Sequence, residues 1–176
     1  MAKKFNETIE DSAATSILPS MSPNNLSLRA IKSIFESLYF STIDFEFLTI
    51  FIKVDDKPIK LPIWDTCGQE IYHSLISSFY NNSSLAILVY SIENDDSFNN
   101  LKFWLNILRT KGNPDINIFL IGNKTDLEYN RKITKKIAQE FAENNKIKLF
   151  LETSAKTGFN AKNIFIESAL DLHIIK

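Results

Sequence analysis

Three short strings hold most of the residues in this chain that are spaced for chemistry: WDTCGQE at 64–70, GNKTDL at 122–127 and ETSAK at 152–156. Each follows a β-branched or aromatic apolar run, and a strand that ends in polar loop residues is where open α/β sheets seat ligands. Asp126 can accept two hydrogen bonds, as from the N1–H and 2-amino group of guanine. Adenine offers neither donor, so such an acceptor rejects it by leaving a buried carboxylate unsatisfied. Asn123 can tie the same loop to the base, and the Lys124 stem can lie along the ring. In the third string, the small residues Ser154 and Ala155, followed by Lys156, let backbone N–H groups approach a ligand carbonyl such as guanine O6. In the first, Asp65 is placed to hold Mg2+ through water, Gly68 to let the backbone near a terminal phosphate, and Gln69 to orient an attacking water. Singly, the two shorter strings also read as a polar turn and a helix cap. Three of them, each closing a strand, point to one composite site.

The elements that must position these strings follow from periodicity. Residues 45–54 read as a strand, Asp55-Asp56-Lys57-Pro58 as a hairpin turn and 59–64 as its partner. The continuous apolar runs at 85–90 and 116–121 predict strands buried on both faces. Between them, Phe98, Leu101, Trp104, Leu105 and Leu108 keep the 3–4 spacing of one helix, which Gly112 and Pro114 end. Ile133, Ile137, Ala138, Phe141 and Ala142 mark another helix, 147–151 a last strand and 160–172 a final helix. Alternation of this kind predicts an α/β fold: three layers, a mostly parallel sheet with helices on both faces, and one antiparallel edge strand from the hairpin.

Composition narrows the function classes. The 176 residues make one domain-sized chain, and a net charge of −1 gives no electrostatic case for nucleic acid. No GxGxxG string is present to suggest a dehydrogenase. The lone Cys67 cannot form an internal disulfide, which fits a reducing compartment. The segment 1–25, rich in Ser, Asn, Lys and Thr with Pro19 and Pro23, reads as an atypical, poorly ordered N-terminal piece in which only 13–18 is strand-like; 26–176 reads as the folded domain. The sequence closes on Leu172-His173-Ile174-Ile175-Lys176, which encodes no prenylated cysteine, so the expectation is either a protein without a lipid anchor or a tail that lies outside this sequence.

With these strings at these separations, the chain resembles the Ras-superfamily small GTPases, and their Rab branch most closely, over roughly residues 35–170. Phe35, Tyr39 and Ser41-Thr42-Ile43 look like the first switch of a Rab. The resemblance implies a small G-protein fold of the P-loop NTPase type and a guanine-nucleotide switch acting in vesicle and membrane trafficking. It implies GTP/GDP and Mg2+ as ligands, and hydrolysis of GTP to GDP as the reaction. Thr42 would then contact Mg2+ and the γ-phosphate, Asp65 a water on the Mg2+, and Gly68 the γ-phosphate. Gln69 would be the catalytic residue, orienting water, while Asn123, Lys124, Asp126, Ser154, Ala155 and Lys156 would hold guanine. Effectors and regulators would read the segment from Thr42 to Phe47 and a second switch from Ile71 to Tyr80, with Ile71, Tyr72 and Phe79 as its apolar patch. A cytoplasmic monomer, peripheral on endomembranes, is the expected form.

One part of that pattern is missing. The G-x-x-x-x-G-K-[ST] loop expected between the first strand and first helix falls, by counting back from Phe35, near ILPSMSPN at 17–24, which has no glycine and no lysine. No glycine occurs before Gly68. Losing about four charge-assisted phosphate contacts at ~1.5–3 kcal/mol each would weaken binding by about 6–12 kcal/mol, on the order of 10⁴- to 10⁹-fold. A degenerate or missing first strand would also leave the strands at 59–64 and 85–90 with unpaired inner edges, and Pro62, which has no N–H, suits such an edge. Ser91 stands where a Rab usually has aspartate. Three expectations follow: a Rab-like GTPase whose functional sequence begins upstream, a nucleotide-free pseudo-GTPase serving as an interaction module, or a divergent GTPase with an unrecognised phosphate loop.

Overall fold

The computed structural model describes residues 2–5, 45–54, 57–66 and 83–174, with backbone alone for 2–5, 45–47, 66 and 173–174. Strand β2 (Phe45–Val54) turns back into β3 (Lys57–Thr66), pairing antiparallel in unbroken register from Phe45↔Thr66 to Val54↔Lys57. β4 (Leu85–Ser91) and β5 (Asn117–Asn123) follow, joined by helices α1 (Asp95–Asn99) and α2 (Leu101–Lys111). A 3-10 segment (Thr125–Asn130) and α3 (Lys135–Asn144) lead to β6 (Leu149–Glu152), and α4 (Ala161–Ile174) closes the described chain. β4, β5 and β6 pair in parallel. The hairpin, the buried strands and the last two helices are thus where periodicity put them, with ends shifted by a few residues.

The sheet sorts its side chains by the period of two that strands impose. Leu85 and Ile87 of β4, with Phe119 and Ile121 of β5, face one core with Leu61 and Ile63 of β3. That core is capped by α4, whose buried Ala161, Ile164, Phe165, Ser168, Ala169 and Leu172 recur at helical spacing. Ala86, Leu88 and Tyr90 of β4, with Ile118 and Leu120 of β5, face the other core, covered by Leu101, Trp104, Leu105 and Leu108 of α2 and by Ala138 and Ala142 of α3. The predicted three-layer α/β architecture is therefore present. Two local readings change. The helix predicted from Phe98 to Leu108 is broken at Asn100, and Ile133 lies ahead of α3 while Ile137 is 46% exposed instead of facing the core.

The centre of the sheet holds the main departure. In the strand order β2-β3-β1-β4-β5-β6, the slot between β3 and β4 is filled by β1 (Ala2–Phe5), antiparallel to both neighbours. Nothing in AKKF alternates, so periodicity gave no warning of it; the only strand-like stretch anticipated before residue 26 was 13–18, which lies outside the described residues. The open N–H and C=O groups of two buried neighbours are reason enough for a short peptide to pair there. Its ladder on β3 runs from Lys3↔Asp65 to Phe5↔Ile63 and so stops one residue short of Pro62. β3, β4, β5 and β6 run one way and β1 and β2 the other, so four strands share a direction while the parallel pairings are β4–β5 and β5–β6.

Gly122 is a point of close approach between β4 and β5. It lies opposite Tyr90, and a Cβ built on it would sit 2.7 Å from the Tyr90 hydroxyl and 2.9 Å from Cζ. Tyr90 is fully buried, stacked edge-on against Phe98 at 5.0 Å, and its hydroxyl has no hydrogen-bond partner among the described residues. Burial pushes the phenol well above its ordinary range, the nearby Glu152 carboxylate adds to this, and Arg131 opposes it. Gly122→Ala is expected to lower stability by about 1–3 kcal/mol in urea denaturation, because the ring must shift. Above about pH 10 an unfolded tyrosine ionises while buried Tyr90 stays neutral. Its contribution is complete below that pH and is lost as pH rises towards the folded value. Tyr90→Phe should match or exceed the parent at pH 7 and show a smaller fall in stability in alkali.

Candidate guanine-reading site

The carboxyl ends of β3, β4, β5 and β6 share one edge, which places Asp65, Ser91, Asn123 and Glu152 along it. Parallel register sets Gly122 opposite Glu152, so Asn123 and Thr153 leave the sheet side by side. The backbone continues the ladder beyond the strands: Thr153 N–H donates to Gly122 O at 2.8 Å, and Thr125 N–H to Thr153 O at 3.1 Å. Asn123, 8% exposed, then ties the loops together, its Oδ1 accepting from Ala155 N–H at 3.1 Å and from Thr153 Oγ1 at 3.4 Å.

Asp126 is held by the third string. Ser154 Oγ donates to Asp126 Oδ1 at 2.5 Å and accepts from Thr157 N–H at 3.1 Å. Among the described residues Asp126 Oδ2 has no hydrogen-bond partner, and the residue is half-buried. One carboxylate oxygen is thus oriented by serine, and the other is unpaired among the described residues. The loop that supplies Ser154 is closed by Ser154 N–H to Phe159 O at 3.0 Å and Gly158 N–H to Ser154 O at 2.9 Å. Gly158 has φ 81°, a left-handed backbone that glycine adopts without strain. Asn160 Nδ2 ties the same loop to Glu152 O at 2.9 Å.

Two residues that the motifs did not single out reinforce the edge. Arg131, just after the 3-10 segment, bonds Glu152 through Nη1 at 2.7 Å, Glu128 through Nε at 2.7 Å and Nη2 at 2.6 Å, and Ile133 O at 2.9 Å. Glu128 and Glu152 raise the Arg131 guanidinium still further, and Arg131 in turn holds the exposed Glu128 carboxyl below its usual range. Glu93, in the loop after β4, accepts from Lys124 Nζ at 2.6 Å. Neither signals itself by periodicity.

Of the residues expected at the site, Asn123, Lys124, Asp126, Ser154, Ala155 and Lys156 come together at this edge, with Lys156 exposed. Asp65 is 5% exposed at the end of β3, opposite Lys3 in the register. Thr42, Gly68 and Gln69, and the segment from Ile71 to Tyr80, lie outside the described residues. Among the described residues, no group of three or more His, Cys, Asp or Glu side chains is placed to hold a metal ion.

Comparison with known proteins agrees with this geometry. The Ras family model matches residues 23–173. The chain is also similar to the Ras-related protein RABF2b of Arabidopsis thaliana, 42% identical over 146 residues that cover 83% of this chain and 72% of the relative. The chain belongs to the Ras family. Within it, this is a Rab-like small GTPase-family protein, and the family match begins after β1, so the strand filling the central slot lies outside the matched region. Among the described residues of this Rab-like chain, no helix is long and apolar enough to cross a membrane.

Arg131→Met leaves Glu152, whose side chain is 14% exposed, without its guanidinium. The expected loss is about 2–3 kcal/mol of stability, read by urea denaturation.

Proposed function

We propose that this Rab-like protein binds guanine nucleotide and acts as a switch in intracellular membrane traffic. The observation that supports it best is the Ser154–Asp126 hydrogen bond beside the Asn123–Ala155 bond. Together they pre-orient a carboxylate acceptor with one free oxygen, and that donor–acceptor pattern suits guanine over adenine. In this reading Lys124 and Lys156 flank the base. Asp65 and Thr42 serve Mg2+, which would neutralise phosphate charge, Gly68 meets the terminal phosphate and Gln69 orients water for hydrolysis. GTP and GDP are the ligands. Effectors and regulators dock on the stretch from Thr42 to Phe47 and on that from Ile71 to Tyr80. The protein is a monomer in the cytoplasm, peripheral on endomembranes.

A second reading, the nucleotide-free interaction module, is favoured by one specific observation. β1 runs from the site edge at Ala2 to Phe5, which pairs with Ile63 and Leu85 towards the opposite edge of the sheet. β1 thus ends away from the edge that carries Asp126, and no glycine precedes Gly68. Nucleotide extracted from the denatured protein decides between the two. Stoichiometric GDP or GTP supports the switch; no nucleotide in the extract and no GDP binding by titration with Mg2+ supports the module. Where GDP binds, Asp126→Asn should weaken it by about 3 kcal/mol or more, roughly 100-fold, since the acceptor is replaced by a donor facing donors. Unchanged affinity would remove the guanine-reading role from Asp126.

A further inference from the structure

Lys124 and Glu93 form an ion pair whose two ends are fixed by backbone rather than left to side-chain chance. The Lys124 backbone is left-handed, φ 69° and ψ 37°. It lies between the locked Asn123 side chain and Thr125, whose N–H is bonded to Thr153 O. A non-glycine residue in that conformation carries strain and persists only where its surroundings over-determine it. Glu93 is anchored comparably: Ile92 N–H donates to Asn123 O at 3.0 Å, Ile92 O accepts from Lys132 and Ile133 N–H at 2.9 and 3.0 Å, and Asn94 caps α1 through Ser97 N–H. The ammonium meets Glu93 Oε1 at 2.6 Å, a short charge-assisted bond.

We propose that Glu93 is a positioning residue for base binding, holding Lys124 so that its four methylenes form a fixed apolar wall for the face of a guanine ring. The proposal rests on the guanine-nucleotide reading above. The Lys124 side chain is 49% exposed and that of Glu93 23%. Pairs so exposed add little to fold stability, which leaves orientation as the effect to measure. A free lysine stem samples many rotamers that a bound base must freeze, and a stem already stretched between two loops has lost them beforehand. Because the wall touches the base and not the phosphates, its loss acts equally on nucleoside and nucleotide.

The test is titration of the full chain with guanosine and with GDP, for the parent, Glu93→Ala, Glu93→Gln, Lys124→Ala and the double variant. Glu93→Ala should weaken both ligands by about fivefold, the scale of immobilising one rotamer-rich side chain on binding. Glu93→Gln, which keeps an acceptor, should recover part of that loss. In the Lys124→Ala background Glu93→Ala should change nothing, a result that a merely structural role would not give. Three outcomes overturn the proposal alone: Glu93→Ala binding as the parent does, an equal loss in the Lys124→Ala background, or tighter GDP with guanosine unchanged, which would make Glu93 a competitor for the ammonium. A parent chain that binds neither ligand overturns the guanine reading, and the proposal with it.

Discussion

The Asn123 side chain lies 8% exposed where two parallel strands leave the sheet, and the neighbouring loops converge on its carbonyl oxygen. Parallel strands have no turn between their ends, so their outgoing loops are far apart in sequence and must be joined by something other than the chain. Here a buried amide does so, reaching Ala155 N–H and Thr153 Oγ1 across thirty residues or more of separation. Asp126 inherits its place from that join, because Ser154, which orients it, belongs to the loop that Asn123 holds. Arg131 braces the same junction through Glu152, the last residue of β6. The placement of Asp126 beside Ser154 is therefore a by-product of closing one pair of strand ends.

Much of this was legible in the sequence, for reasons that can be named. Leu85, Ile87, Phe119 and Ile121 announce strands because both faces of the sheet are covered, and the strings after them announce a site because polar residues at a buried strand end need a purpose. The Leu101, Trp104, Leu105, Leu108 stripe placed α2 because helical burial repeats every three to four residues. What failed to show was of another kind. β1 forms because β3 and β4 present open hydrogen-bonding edges, a demand made by the rest of the fold and not by AKKF itself. The break at Asn100 and the exposure of Ile137 are tertiary outcomes, and the Arg131 and Glu93 pairings join loops that no period relates.

The family match and the central strand pull in different directions. The residues that match the Ras family include every element that builds the edge carrying Asn123, Asp126 and Ser154, while the strand between β3 and β4 comes from outside the match and runs against the direction of its neighbours. A sheet tolerates such a replacement because backbone hydrogen bonding is indifferent to side-chain identity. Phosphate recognition is not indifferent, since it needs N–H groups delivered at one edge in a glycine-permitted conformation. β1 therefore completes the sheet while its own carboxyl end lies away from the edge that carries Asp126.

The four residues of β1 also set how the sheet comes apart. The β2–β3 hairpin reaches the parallel half of the sheet through β1, whose ladder on β3 spans Lys3 to Phe5, and through the apolar face of α4. Ten-residue strands bound to each other along their whole length but to the remaining sheet by so short a ladder form a natural unit of partial opening. Amide hydrogens on the inner edge of β3 would exchange through release of that hairpin, at a lower free energy than those of β4 and β5. Asp65 would move with it, while Asn123, Asp126 and Ser154 would stay together on the part that remains folded. The acid assigned to the metal and the residues assigned to the base thus sit on opposite sides of the same seam.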